Sequence, residues 1–226
     1  MRQSIYQNTD ALNQDFASKI VAILAQAIEQ KGKASLLVSG GRTPLPLFKA
    51  LSQSELDWAK VTISLADERW VSADDDASNE KLVRANLLQG NASVANFIGM
   101  KTDHEDANDG LSELNERYAS MSWPVDVLIL GMGEDGHTAS LFPCSEQIEQ
   151  GLNTADKLLA VQPTTAPHQR MSFSLKAILE SEHIFLHLTG ESKKAVLEEA
   201  LAGDNALEMP IRAVLQNADV ELVWAP

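Results

Sequence analysis

Short apolar runs and stretches with helical spacing alternate along most of the chain. Apolar runs of about four residues, bounded by glycine or polar residues, are typical of strands buried on both faces. Stretches whose apolar residues recur every three or four positions are typical of amphipathic helices. Strands are predicted at 35–38, 61–65, 96–100, 127–130, 156–161, 168–175, 183–188 and 220–224. Helices are predicted at 9–31, 45–51, 79–88, 106–120, 189–201 and 210–215.

This alternation favours an α/β fold, with a mainly parallel, open sheet and helices on both faces. No internal repeat, low-complexity segment or linker divides the chain. We therefore expect one domain spanning 1–226. The chain contains no run of 18 apolar residues, so no membrane span is predicted. The first residues lack the charged and then apolar segments of a signal peptide. Cys144 is the single cysteine, so no internal disulfide is possible and a cytoplasmic protein is expected.

The segment 127–143, VLILGMGEDGHTASLFP, places chemistry at the end of a buried strand. The apolar residues 127–130 stop at a turn with three glycines, and His137 follows at once. Open α/β sheets bind ligands beyond the carboxyl ends of their strands. His137 is therefore the candidate general base, and Asp135, two residues earlier, is a candidate to orient its imidazole.

The same turn spells G-x-G-x-x-G, the pattern of a dinucleotide-binding loop. That motif requires a long helix after the glycines and an acidic residue at the end of the next strand. Pro143 limits any such helix to under two turns, and the next predicted strand, 156–161, is followed by Gln162 and not by an acidic residue. Dinucleotide binding is therefore disfavoured, and no cofactor is predicted.

A second glycine turn follows the strand at 35–38. Gly40, Gly41, Arg42 and Thr43 lie between this strand and a helix whose start Pro44 suits. Backbone N–H groups and the positive end of a helix can hold an anion such as phosphate. The same residues are equally consistent with an ordinary turn between strand and helix.

Charged residues follow or occupy three further strands. Asp67 and Arg69 come directly after 61–65, which locally favours a solvated loop. Arg170 lies in a segment that alternates polar and apolar residues, and locally a surface ion pair is its simplest role. Lys193 falls in the first turn of a helix, where it opposes the helix dipole and indicates an anionic partner.

The net charge of −14 argues against binding to nucleic acid or to anionic membranes. An anionic substrate would need a local cluster of cations and N–H groups. His183 and His187 share one face of a strand, but no further ligand stands at a regular spacing, so no metal site is predicted. Cys144 is interpreted as structural, because no basic residue nearby is predicted to lower its pKa.

Six motifs occur together in order along the chain, and together they resemble the 6-phosphogluconolactonase family. They are SGGRTP at 39–44, ADERWV at 66–71, SNEKL at 78–82, GMGEDGHTASLFP at 131–143, HQRMSFSL at 168–175 and TGESKKAVL at 189–197. The resemblance implies a Rossmann-like sheet of the sugar-phosphate isomerase type. The neighbouring glucosamine-6-phosphate deaminases typically read GHIAFNEP where this chain reads GHTASLFP, which favours the lactonases.

The resemblance implies hydrolysis of 6-phospho-D-glucono-1,5-lactone, with His137 as the base. It also implies that Arg69, Arg170 and Lys193 line the site, without saying which of them binds phosphate. The expected partner is thus a small phosphorylated sugar lactone, with the protein a monomer or a small homo-oligomer. The donors to the developing oxyanion are either N–H groups of the turn at 131–136 or a nearby arginine.

Three alternatives remain at this point. Ser140 could act as a nucleophile with His137 as its base, but it lacks the strand-to-helix elbow of G-x-S-x-G. A deaminase or isomerase would move a proton between C1 and C2 of an amino sugar phosphate. A non-catalytic sensor would bind 6-phosphogluconate without turnover, and a placed base such as His137 would then have no use.

Overall fold

The computed structural model describes all residues, 1–226, as ten strands and eight α-helices. The strands are β1 Arg2–Ile5, β2 Ala34–Val38, β3 Val61–Leu65, β4 Asp67–Arg69, β5 Asn96–Ile98, β6 Val125–Leu130, β7 Leu158–Val161, β8 Arg170–Phe173, β9 Ser181–Thr189 and β10 Val220–Ala225. The helices are α1 Thr9–Lys31, α2 Leu45–Gln53, α3 Asn79–Asn86, α4 Leu111–Ala119, α5 Ile148–Asn153, α6 Leu175–Leu179, α7 Glu191–Ala202 and α8 Ile211–Asn217.

Seven strands form one parallel sheet in the order β1-β10-β9-β6-β2-β3-β5. α1 and α2 pack together, and α7 packs with α8. The chain crosses the sheet in opposite directions at these two pairs, so the right-handed crossovers that parallel strands almost always have would put them on opposite faces. The predicted mainly parallel sheet with helices on both faces is confirmed.

Strands of a parallel sheet are covered by helices on both faces and are therefore rich in apolar residues. Every residue of β2, β6 and β10 is buried. In all, 60 buried hydrophobic residues form a single cluster between the sheet and its helices. No helix is both long and apolar enough to cross a lipid bilayer.

A second sheet is antiparallel, with three strands in the order β4-β8-β7. The solvated loop expected at Asp67 and Arg69 is therefore wrong, because these residues form β4 and pair with β8. The segment 168–175 is a shorter strand than expected, and all four residues of β8 are buried. This sheet brings Asp67 opposite Ser172 and Arg69 opposite Arg170.

The long first helix shows how local signals set the ends of elements. The Asn8 side chain caps its start by accepting the N–H of Ala11 at 2.9 Å. Gly32 ends it with a φ of +76° and returns its N–H to Ile28, as expected for a C-terminal glycine. α1 carries Phe16 against the face of β9, where the ring meets His187 edge-on at 5.4 Å.

His187 is buried at 3 % exposure, and neither ring nitrogen has a hydrogen-bond partner. Burial disfavours the charged imidazolium and lowers the pKa of His187 to about 4. In the unfolded chain a histidine titrates near roughly 6.5. The unfolded state therefore binds more protons between these two values, and acid favours unfolding over that interval.

We predict that the unfolding free energy of His187→Leu falls less steeply on acidification than that of the wild type. The wild type should lose roughly 3 kcal/mol of unfolding free energy through this residue between about pH 6.5 and pH 4. The variant should lack that contribution and be no less stable at pH 7, because leucine removes two unpartnered buried nitrogens. Urea unfolding at a series of pH values measures this. His183→Leu, at a half-buried histidine of the same strand, is the matched control, and an unchanged slope in His187→Leu would contradict the prediction.

Candidate active site

A cavity lies at the carboxyl edge of the parallel sheet, where the chain leaves β2, β6 and β9 and where the small sheet crosses. The residues predicted for the site that line it are Gly40, Gly41, Thr43, Asp67, Arg69, His137, Arg170 and Lys193. They come from positions spread over 150 residues of the chain. The parallel strands bring them together because their carboxyl ends meet at one edge.

His137 and Asp135 form a hydrogen-bonded pair at this edge. Nδ1 of His137 lies 2.5 Å from Oδ1 of Asp135, and the His137 N–H also donates to that oxygen at 3.1 Å. Burial opposes ionisation of Asp135, but the hydrogen bonds and charge of His137 prevail and lower the pKa of Asp135. An ionised carboxylate accepts only, so it selects the tautomer with the proton on Nδ1. Nε2 of His137 is then left as a proton acceptor.

The backbone approaches this pair too closely for a side chain at position 133. A Cβ on Gly133 would lie 2.1 Å from Nδ1 of His137 and 2.6 Å from Oδ1 of Asp135. The Gly133 N–H donates to the carbonyl of His137 at 2.9 Å and closes the turn. The glycines of this turn therefore serve a histidine–carboxylate pair and are not followed by the helix of a dinucleotide site.

An aromatic ring supports the imidazole. Phe142 stacks on His137 with ring centroids 4.0 Å apart and an angle of 29° between the planes. The guanidinium of Arg170 lies over the same phenyl ring at 5.6 Å. His137 thus has its plane set by Phe142 and its rotation set by Asp135.

Two arginines on neighbouring strands supply positive charge to the cavity. Arg69 donates to the carbonyl of Ala77 at 2.6 Å, and Arg170 donates to that of Pro167 at 3.2 Å. The Nε atom of each is buried without a partner. The surface ion pair expected for Arg170 is wrong, because the residue is 6 % exposed and has no carboxylate within salt-bridge distance. Burial lowers the pKa of Arg170, and the neighbouring Asp67 opposes that change.

Lys193 and Arg42 differ in where the fold places them. Lys193, in the first turn of α7, is half-buried and lines the cavity. Arg42 is exposed and does not line the cavity, unlike the glycines before it and Thr43 after it. The turn at Gly41, with a φ of +96°, leaves Arg42 on the outer surface, and a substrate-binding role for it stays a prediction.

Asp67 is held by a hydroxyl at the wall of the cavity. Its Oδ2 accepts the hydroxyl proton of Ser140 at 2.5 Å. Ser140 is fully buried and its hydroxyl is committed to Asp67, not to His137. A nucleophilic role for Ser140 therefore does not fit the structure.

Two residues that support the site were not identified from the sequence, Glu68 and Asn79. The buried Glu68 carboxylate accepts the N–H groups of Arg69, Asn79 and Glu80 at 2.7–2.8 Å and the Ser78 hydroxyl at 3.1 Å. Burial raises the pKa of Glu68, and the backbone hydrogen bonds oppose that rise. Glu68 thus links β4 to the start of α3, and these two segments carry Arg69 and Asn79 to the cavity.

Asn79 connects three loops of the site. Its Nδ2 donates to the carbonyl of Asp67 at 3.0 Å. A Cβ on Gly40 would lie 1.8 Å from its Oδ1, so any other residue at position 40 would displace the Asn79 side chain. The signal for Asn79 in the sequence was only its place after Ser78, whose hydroxyl caps α3 by accepting the N–H of Lys81.

Cys144 is the one remaining side chain whose chemistry was considered from the sequence. Partial burial opposes thiolate formation, but hydrogen bonds from Thr165 and Thr164 prevail and lower the pKa of Cys144 to about 7. Hydroxyl and N–H donors, and no basic residue, cause this lower pKa, and the structural role of Cys144 stays a prediction. No group of three or more His, Cys, Asp or Glu side chains is placed to hold a metal ion.

The fold and the site together define an α/β protein with a cationic cavity beside a histidine–carboxylate pair. Residues 7–224 match the family model of glucosamine-6-phosphate isomerases/6-phosphogluconolactonase, and the chain belongs to this family. The 6-phosphogluconolactonase of Rhizobium meliloti is 41 % identical over 226 residues, which cover 98 % of this chain and 97 % of that protein. The 6-phosphogluconolactonase of Neisseria meningitidis serogroup A is 42 % identical over 218 residues, 95 % of this chain and 94 % of that protein.

A solved structure agrees with these relatives. The crystal structure of a 6-phosphogluconolactonase from Shewanella baltica superposes with a TM-score of 0.98 at 48 % identity. The match covers 100 % of this chain and 98 % of that one. The resemblance drawn from the six motifs is confirmed at the level of the family.

We predict that Glu68→Gln lowers the free energy of unfolding by about 1–3 kcal/mol, because the amide presents an N–H group to donors that need an acceptor. Chemical unfolding at pH 7, followed by far-ultraviolet circular dichroism, measures this. Asp76→Asn, at an exposed carboxylate paired with Lys81 in the same region, is the control and should behave as the wild type. Equal stability of Glu68→Gln and wild type would contradict the role assigned to Glu68.

Proposed function

We propose that this protein hydrolyses 6-phospho-D-glucono-1,5-lactone to 6-phospho-D-gluconate, the second step of the oxidative pentose phosphate pathway, with His137 as general base. The observation that supports it most directly is the Asp135–His137 pair, which leaves Nε2 of His137 as a proton acceptor at a cavity lined by cations. The names of the similar proteins support the same substrate. We also treat residues 1–226 as one domain, because their buried hydrophobic residues form one cluster.

The chemistry needs one base and no covalent intermediate. A lactone is an activated ester, and a water deprotonated by His137 can attack its C1 carbonyl carbon directly. The bond between C1 and the ring oxygen then breaks, and the protonated imidazole returns its proton to the departing oxygen. Asp135 keeps the ring in one orientation and stabilises the imidazolium between these steps.

The cationic residues supply what an anionic substrate needs in a protein of net charge −14. Arg69, Arg170 and Lys193 line one cavity, and the two buried Nε atoms lack any partner in the protein. Guanidinium groups with free donors bind phosphate through charge-assisted hydrogen bonds. We assign phosphate binding to this set, and the binding of a sugar hydroxyl to Asp67.

Turnover of freshly prepared 6-phosphogluconolactone tests the function. We expect the wild type to accelerate ring opening well above the spontaneous rate in a control without enzyme, and to release no ammonia from glucosamine 6-phosphate. Acid release at constant pH measures the first reaction, and a coupled ammonia assay measures the second. Ring opening at the spontaneous rate would reject the proposal, and ammonia release would favour a deaminase.

The placement of the cations gives a second test. We predict that Lys193→Ala raises KM for the lactone by about 10-fold or more, because a charge-assisted contact to the substrate anion is lost. Arg42→Ala should change KM by less than about 2-fold, since this exposed arginine does not line the cavity. Steady-state kinetics of both variants measure this. A larger effect from Arg42 than from Lys193 would contradict the assignment.

A further inference from the structure

Ser140 is a buried hydroxyl that connects two walls of the cavity. It lies three residues after His137 in the chain and has no exposed surface. Its hydroxyl donates to Oδ2 of Asp67 at 2.5 Å, and its N–H donates to the hydroxyl oxygen of Ser172 at 3.1 Å. Ser140, in the loop after β6, is thus hydrogen-bonded to Asp67 of β4 and to Ser172 of β8.

The direction of each proton follows from the neighbours. Asp67 and Ser172 face one another across the antiparallel pair β4 and β8. The Ser172 hydroxyl donates to the carbonyl of Phe173 at 3.0 Å, so its proton is engaged and its oxygen receives the N–H of Ser140. Ser140 has its hydroxyl as the donor in its contact with Oδ2 of Asp67, which accepts the proton.

The contact leaves one oxygen of Asp67 for a ligand. Asp67 is 7 % exposed and lines the cavity. Ser140 holds its Oδ2, whereas no protein group donates a hydrogen bond to its Oδ1. With Oδ2 anchored, the plane of the carboxylate is set, and a hydroxyl of a bound sugar can meet Oδ1.

A tight turn joins Ser140 rigidly to the base. The N–H of Leu141 donates to the carbonyl of Thr138 at 3.0 Å, and the Thr138 hydroxyl donates to the carbonyl of Gly131 at 2.8 Å. Ala139 between them has a φ of +47°, a left-handed conformation that costs alanine free energy. A conformation of this cost persists only where its surroundings impose it, and here it sets the direction of Ser140.

We propose that Ser140 is a positioning residue that holds the Asp67 carboxylate at a set distance and angle from His137. The inference rests on the proposed lactone hydrolysis, in which Asp67 binds a sugar hydroxyl while His137 activates water. Ser140 then acts through Asp67 and does not itself contact the substrate.

A double-mutant cycle on kcat/KM for 6-phosphogluconolactone tests this. Ser140→Ala should lower kcat/KM by about 10-fold or more, the effect of losing a hydrogen bond to a charged group. In a protein that already carries Asp67→Ala, the same change should cost less than about 2-fold, because the group it positions is gone. A role confined to stability would give equal factors in both backgrounds.

Two further variants separate positioning from general damage. Ser64→Ala removes another fully buried hydroxyl, which bonds to Ile98 and Tyr118 on β3 away from the cavity, and should keep kcat/KM within about 2-fold. Ser140→Cys keeps a similar volume and a weaker donor, so its activity should lie between those of wild type and Ser140→Ala. If Ser140→Ala does not fold, as judged by circular dichroism, the cycle is run with Ser140→Cys.

The outcomes distinguish this inference from the function on which it rests. Losses that multiply across the cycle, or full activity in Ser140→Ala, would overturn the positioning role while the wild type still turned over the lactone. Failure of the wild type to accelerate ring opening would overturn both.

Discussion

The contact between His137, Asp135 and the backbone at Gly133 is the constraint on which the site depends. The imidazole and the carboxylate lie so close to this backbone that a single added carbon would strike both. The buried strand β6 delivers the turn, and the N–H of Gly133 closes it onto His137. The cavity beside this pair is lined by the charged side chains of Asp67, Arg69, Arg170 and Lys193.

The small antiparallel sheet supplies the opposite wall. It pairs Arg69 with Arg170 across two strands and orients Asp67 toward the same cavity. Arg170 is buried and Arg69 is half-buried, and neither guanidinium has a carboxylate partner, which is unfavourable for two like charges on paired strands. A bound anion would reduce the repulsion between the two guanidinium groups.

The parallel sheet could be predicted from the sequence because its central strands are continuous apolar runs. β1 could not, since its four residues are largely exposed and are held by pairing with a strand more than 200 residues away. β4 is a charged tripeptide that becomes a strand only through β8, and this pairing also buries Arg170. Such non-local pairing leaves no pattern within a local window of sequence.

In the candidate site too, residues grouped in one short segment could be predicted, whereas residues held by distant partners could not. His137, Asp135 and the glycines were identified because they stand together in one short segment after a strand. Glu68 was missed because its four donors include three from residues 78–80, ten positions further on. The exposure of Arg42 depends on the direction of a turn, and the environment of Cys144 depends on threonines 20 residues away. Residue type and spacing indicate the chemistry, whereas burial and partners follow from the fold.

The measurement that tests this account most directly is the rate of 6-phosphogluconolactone opening by His137→Ala beside the wild type. The account predicts that the variant falls by about 100-fold to 10,000-fold toward the spontaneous rate, as expected when a general base is removed. It also predicts that the variant still binds 6-phosphogluconate, because Arg69, Arg170 and Lys193 remain in the cavity. Equal rates of opening by the two proteins would show that His137 is not the base.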